Sequence, residues 1–185
     1  GGGHAGSSPA GGEVGLTPIY CGSDSELAVA SKRLLKKDPT TKLKALGEVV
    51  VILQNKGAQV LHDFLPYFAF VYRRLSLDVN WRVRMEVNRV LSTVATINKR
   101  SLGPHMNALI GYWWCALQDS SRDVAAVARE AFDATIASKK QPSVIAFLSP
   151  HILALIKSNL DATPEGLSDK SQFSQEDAED RYIMA

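Results

Sequence analysis

At 185 residues with 45% hydrophobic content, the chain can bury a real core, and its length suits one domain rather than two. The formal charge of +2 hides an asymmetry: residues 1–160 carry 19 Lys and Arg against 12 Asp and Glu, while 161–185 carry 2 against 7, so a basic body precedes an acidic tail. Two cysteines offer neither a disulfide framework nor a zinc pattern, no apolar run approaches the roughly 20 residues of a bilayer span, and no basic-then-apolar leader is visible.

Residues 1–22 hold eight glycines and no apolar periodicity that could offset the entropy of ordering them. They are expected to be disordered or ordered only by a partner, part of them reading as a vector-derived scar. The first helix is predicted to follow a cap at Ser23 or Asp24, run through Leu27, Ala30 and Leu34, and end near Lys37. Asp38-Pro39 restarts the chain, since Asp caps the next helix and Pro suits a first-turn position. That second helix is expected to bury Leu43, Leu46, Val50 and Leu53 and to close at Gly57.

A third helix, about 58–75, places Leu61, Leu65, Phe68, Tyr72 and Leu75 on one side, with a kink expected at Pro66. A fourth, about 81–99, points Val83, Val87, Val90, Val94 and Ile97 inward. Gly103-Pro104 breaks the pattern, and a fifth helix follows on Met106, Leu109, Trp113 and Leu117. A sixth, about 122–138, uses Val124, Val127, Ala131 and Thr135. The seventh, from Ile145 and Leu148 to Ile152, Leu155 and Ile156, is expected to be broken at Pro150. Ser174-Gln175-Glu176-Asp177 has the spacing of a capping box and predicts a last helix.

Three turns recur within this series. Asp38, Asp78 and Asp119 each open a turn and stand five residues before an aliphatic side chain, Leu43, Val83 and Val124. A period near forty with a helix on each side is the signature of stacked two-helix repeats. The fold class is therefore all-α, a HEAT-like α-solenoid of about three to four antiparallel helix pairs over residues 23–160 with a C-terminal tail helix. Residues 161–185 form an acidic linker and the start of a further helix, and the sequence is expected to stop inside a longer solenoid.

Little catalytic chemistry is visible. His4, His62, His105 and His151 lie in separate segments without metal-ligand or catalytic spacing, so no cofactor or metal is expected. Cys115 follows Trp113-Trp114 in an apolar helix and reads as a buried, unreactive thiol. At least one of the two tryptophans should pack in the core. The basic run Lys32, Arg33, Lys36, Lys37, Lys42 and Lys44 straddles the first corner, with only Asp38 opposing it. It reads either as a solvated face or as a phosphate-binding corner to which Thr40 and Thr41 add neutral donors. The run contains no aromatic residue, which favours contact with backbone or shape over base stacking.

The segment Lys36-Lys37-Asp38-Pro39-Thr40-Thr41-Lys42-Leu43-Lys44-Ala45-Leu46 resembles the opening motif of the listerin family, ubiquitin ligases of ribosome-associated quality control. Arg74-Leu75-Ser76-Leu77-Asp78 with Arg82-Val83-Arg84, Thr163-Pro164, Leu167-Ser168-Asp169 and Ser174-Gln175-Glu176-Asp177-Ala178-Glu179 are similar to the same family. Trp81 departs from the small or basic residue expected there. The resemblance implies a non-catalytic N-terminal targeting module of a RING-type E3 ligase, lacking the zinc ligands of the RING itself. Implied partners are the large (60S) ribosomal subunit carrying a stalled nascent chain-tRNA, its rRNA and ribosomal proteins near the sarcin–ricin loop, and a nuclear export mediator factor family protein on that subunit. Implied ribosome contacts are Lys32, Arg33, Lys36, Lys37, Asp38, Thr40, Thr41, Lys42 and Lys44, in a cytosolic monomer with no membrane partner. The alternative is a HEAT-type protein–protein scaffold unrelated to ribosomes.

Overall fold

Asp24 begins the folded body: its Oδ1 accepts a 2.9 Å hydrogen bond from the Leu27 amide and caps α1, Ser25–Leu34. Asp38 repeats the device for α2, Pro39–Lys56, accepting from the Thr41 amide at 2.7 Å. At the other end, α2 closes at Gly57 as expected, with φ +64° and ψ −146°, a positive-φ conformation outside the left-handed helical region. A 3₁₀ turn, Gly57–Val60, leads into α3, Leu61–Leu75, and Asn80 caps α4, Trp81–Asn98. After a 3₁₀ stretch, Lys99–His105, come α5, Met106–Ala116, and α6, Arg122–Thr135. A short 3₁₀ turn, Ser138–Lys140, then precedes α7, Gln141–Leu160, and α8 is Gln175–Met184.

This computed structural model describes residues 19–163 and 174–184. Expectations for residues 1–18 and 164–173, including most of the Gly-rich start, lie outside the described residues. Among the described residues every regular element is helical. Helices α2, α4 and α6 pack side by side in one row, α3, α5 and α7 stack in a second, and α1 packs on α2. The architecture is thus three antiparallel pairs plus α7, an all-α HEAT-like solenoid as the periodicity predicts. Its core runs the length of the stack through Leu27, Leu46, Phe64, Phe68, Tyr72, Leu91, Trp113 and Phe132, all fully buried. Each such side chain contributes about 1.5–3 kcal/mol.

The helix starts correct the repeat alignment. Helices α2, α4 and α6 begin at Pro39, Trp81 and Arg122, so the capping residues Asp38, Asn80 and Ser121 are the equivalent positions. Asp78 and Asp119 instead stand two residues before their caps and accept from the Asn80 and Ser121 amides at 2.9 and 2.8 Å. The first repeat is therefore offset by two residues from the alignment on Asp38. Leu43 accordingly sits at the edge of α2 and is only half-buried, whereas Ala45, Leu46, Val49 and Leu53 are fully buried. Val50, also expected inside, is half-buried for the same reason: α2 lies between α1 and α4, and its buried arc faces both.

With that register the repeats are riveted by charge. Lys42, four residues after the first cap, reaches Asp78 Oδ2, and their side chains are 10% and 5% exposed. Arg84, four residues after the second cap, grips Asp119 with two parallel bonds of 2.7 and 2.9 Å. A third Arg84 bond of 2.8 Å holds the Asp78 carbonyl, which ties the two rungs together. The equivalent residue in the third repeat is Ala125, so the ladder ends there.

Pro66 stands inside α3, Leu61–Leu75, within its second turn. Helix α7 departs from expectation at its proline. Helix α7 is continuous rather than broken at Pro150, because the Ser149 hydroxyl donates to the Ala146 carbonyl at 2.8 Å, replacing the bond that proline cannot make. Gly111 lets α7 approach α5: a Cβ there would meet Leu155 at 2.9 Å. Outward, α7 leaves Phe147, Leu153 and Leu160 exposed. The helical stretch Ser138–Leu160 also has the length and apolar composition of a bilayer span, which corrects the expectation that no segment does.

Removing one partner of a buried pair leaves the other charge uncompensated. Asp119→Ala should therefore lower unfolding stability by about 3–5 kcal/mol, measured by urea denaturation with circular dichroism. Leu46→Ala should cost about 2–5 kcal/mol and Leu43→Ala distinctly less. Equal losses at Leu43 and Leu46 would contradict the register.

Candidate nucleic-acid interface

The basic corner lies where α1 ends and α2 begins, and packing sorts its nine sequence-predicted residues into two groups. Lys32, Lys36, Lys37, Asp38, Thr40 and Lys44 are at least partly exposed. Arg33 and Lys42 are not available in the same way. Arg33 turns across to α2, where its Nη1 donates to Glu48 Oε1 at 3.0 Å and its Nη2 to Oε2. Lys42 is 8% exposed and committed to Asp78, so the reading of Lys42 as a solvent-facing phosphate ligand does not hold. Thr41 is half-buried and its hydroxyl donates to Asp38 Oδ2 at 2.6 Å, which removes that proton from service to a ligand.

Asp38 is held as a carboxylate: the Thr41 hydroxyl first, then the Thr41 amide, depress its pKa. Its charge caps the first turn of α2 and stands exposed next to Lys36 and Lys37 in the chain. Asp24 shows the same depression, caused first by the Leu27 amide and then by Lys56, which also pairs with Glu26. These pairs tie the N-terminus of α1 to the C-terminus of α2.

The caps align the N-termini of α2, α4 and α6 on one ridge, so that Pro39, Trp81 and Arg122 occupy equivalent first positions. Trp81 is 37% exposed and Val79 39%. The Arg82 guanidinium lies 5.1 Å from the centre of the Trp81 ring, within cation–π range. The sequence pattern does not single out this pair, because it lies outside the lysine run. The signal that finds it is the first position of α4 beside an aligned basic corner.

On the outer side of the first pair lies an apolar groove of about 650 Å³, floored by Val29, Val51 and Ile52 and bounded by the Arg33–Glu48 pair and Glu26. Across α2, α4 and α6 a smaller polar depression of about 320 Å³ is lined by Gln54, Arg89, Thr93, Thr96 and Glu130. Among the described residues no three His, Cys, Asp or Glu side chains are grouped to hold a metal ion. Trp113 is fully buried and its Nε1 donates to the Ala128 carbonyl at 3.0 Å, while Trp114 is half-buried, so one of the pair packs in the core as predicted. Cys115 is half-buried in a setting that raises its thiol pKa, which lowers its thiolate fraction.

A stack of helix pairs presenting a basic corner, with Arg33 and Lys42 of that corner held in inter-helix bonds, defines a helical-repeat domain. Residues 23–185 match the family model described as E3 ubiquitin-protein ligase listerin, N-terminal domain. The chain belongs to this family. It is 30% identical to the E3 ubiquitin-protein ligase listerin of Gallus gallus over 179 residues, covering 92% of this chain and 10% of the relative. The listerin of Xenopus tropicalis is 34% identical over 139 residues, 75% of this chain and 8% of its own length, and that of Schizosaccharomyces pombe 30% over 166 residues, 89% and 10%. The chain thus spans about a tenth of the curated relatives it matches, and no RING domain is found within it.

The depressed aspartates give a sign to the acid response. A carboxyl whose folded pKa lies below its unfolded value stabilises the fold above the unfolded value, near 3.8, and that contribution is lost as pH falls through the folded one. The urea midpoint should hold steady from pH 7 to 5 and fall below about pH 4. Asp24→Ala should make the fall shallower, as equilibrium unfolding at pH 7 and pH 3 will show.

Proposed function

We propose that this chain is the non-catalytic N-terminal targeting module of a RING-type E3 ubiquitin ligase, acting in the cytosol in ribosome-associated quality control. It docks on the large ribosomal subunit obstructed by a stalled nascent chain-tRNA. Membership of the listerin N-terminal family supports the ligase context. The observation that carries the docking role is the selective exposure at the first corner: Lys32, Lys36, Lys37 and Lys44 face solvent while Arg33 and Lys42 are held by carboxylates. Exposed cations on a rigid edge suit rRNA phosphate, with the exposed hydroxyl of Thr40 adding a neutral donor.

Sterics supply the discrimination. A free large subunit bares its intersubunit face near the sarcin–ricin loop, whereas the intact ribosome covers it. A module that docks there without bending selects split subunits and holds the remainder of the ligase in a fixed direction. A nuclear export mediator factor family protein on the same face is the protein partner this reading implies. The groove between α1 and α2, with Val29 and Val51 exposed on its floor, favours a second reading as a protein–protein scaffold that needs no RNA.

Charge reversal separates the two. Lys36→Glu with Lys37→Glu and Lys44→Glu should reduce co-sedimentation with purified large subunits and flatten the salt dependence by roughly 0.7–0.9 in log–log slope for each phosphate no longer bound. Helicity should be unchanged because these side chains are at the surface. Lys42→Glu serves as the contrast, since it places like charge against Asp78 and should lower stability itself. Sedimentation indifferent to the triple reversal and to salt would exclude the RNA-docking role and leave the scaffold reading.

A further inference from the structure

The side chain least expected on this surface is Trp81. It opens α4 on the same ridge as the lysine corner, and it is exposed although the core beneath it is well filled. The indole is 37% exposed, and the Arg82 guanidinium lies over its ring at 5.1 Å from the centroid. Two further features fix its location. The Arg82 amide donates to the Asn80 side chain at 2.9 Å, so the first turn of α4 is capped and rigid. The Lys42–Asp78 bond fastens that turn to the start of α2, two residues from Lys44. Neighbouring helices pack roughly 8–10 Å apart, so the indole stands about one helix diameter from the basic corner.

We propose that Trp81 is a base-stacking residue: its indole, with the Arg82 guanidinium against it, receives the face of an unpaired nucleotide in the same RNA whose phosphates the lysine corner holds. The inference rests on the docking role argued above and adds to it a contact of a different kind. Phosphate contacts give salt-dependent affinity with little selectivity, whereas a flat aromatic face rewards an unstacked base and is indifferent to regular duplex. A guanidinium and an indole both stack on nucleobases, and here the guanidinium lies over the indole ring and not beside it. The charge around it selects the partner. Lys36, Lys37, Lys44, Arg82 and Arg122 share the ridge, while the opposing Asp38 is engaged with its own helix. An aromatic anchor for a protein partner would be served better by the apolar groove on the outer side of the first pair than by this cationic edge.

The test is the affinity of the 185-residue chain for purified large ribosomal subunits, measured by co-sedimentation across a salt series. The chains compared are wild type, Trp81→Phe, Trp81→Leu and the Lys36→Glu, Lys37→Glu, Lys44→Glu triple variant. Trp81→Leu keeps apolar bulk and removes the π face. It should weaken binding about 5- to 150-fold with the salt slope unchanged, because no charge is removed. Trp81→Phe should stay within a few-fold of wild type, since a phenyl ring still stacks. Unfolding midpoints are measured alongside, because the ring is 37% exposed and its truncation also removes packing. Wild-type affinity in Trp81→Leu overturns the stacking role while leaving the docking role intact if the triple variant is weakened. Equal weakening in Trp81→Phe and Trp81→Leu points to a shape-fitted protein contact and also overturns it. Salt-insensitive binding in which the triple variant matches wild type removes the docking role, and the stacking role falls with it.

Discussion

Two buried ion pairs hold the register of this solenoid. Apolar packing alone permits neighbouring helices to slide, because one ridge of aliphatic side chains fits a groove nearly as well as the next. Lys42 with Asp78 and Arg84 with Asp119 remove that freedom. A slip of one helical turn, about 5.4 Å, would leave four charges out of water and out of reach of a partner. Each carboxylate serves twice, accepting from the cation of the preceding repeat and from an amide in its own turn. The pairs therefore orient the turns as well as spacing them, and the helix N-termini come to share one edge. Gross stability comes from the apolar core, whereas alignment comes from charge.

The ladder is short, and its ends explain what surrounds it. Lys36 occupies in the first repeat the position held by Asp78 and Asp119 in the next two, so no acid is there to receive a cation from above. That lysine faces solvent instead, and the basic corner is the place where the ladder begins. At the far end Ala125 replaces the cation, and the contact beyond α6 changes in kind. Helix α7 is seated on α5 by close approach at Gly111 and by Leu148 and Ile152, not by a charge pair. Its other face is open, with Phe147, Leu153 and Leu160 exposed.

The sequence made helices legible where local chemistry decides and misled where tertiary pairing does. Asp24, Asp38 with Pro39, and Gly57 act within one turn of themselves, and each boundary they predict is where the chain places it. Pattern also sufficed for α4, whose buried valines lie at the expected spacing. The offset of the first repeat was hidden because an Asp opens every turn while doing different work: capping at Asp38, bracing at Asp78 and Asp119. Pro150 looked like a break because a serine hydroxyl one residue before it was not counted as a substitute donor. The basic run was legible as a run, but linear charge counting cannot tell a surface Lys44 from a buried Lys42 two residues earlier on the same helix. The partner of Lys42 lies 36 residues away, and only the repeat spacing, one cation against the acid about one period later, carried a trace of this.

This division of labour among like charges bears on how the ridge could recognise anything. Six cations crowded on one corner would repel one another and keep each side chain mobile, so that a ligand would have to order them all on binding. Committing Arg33 to Glu48 and Lys42 to Asp78 removes two of the six from that repulsion and uses them to stiffen the helices on which the others are mounted. The remaining lysines project from a frame that is fixed before any partner arrives, reducing the ordering cost of a complex to the side chains themselves. Asp38 caps the N-terminus of α2 through the Thr41 amide and hydroxyl, so its carboxylate offsets the positive end of that helix dipole and the field at the corner comes from the lysines. The field at the edge is therefore produced by a few exposed charges on a rigid mount, which is the arrangement that favours a partner whose negative charges are themselves fixed in space.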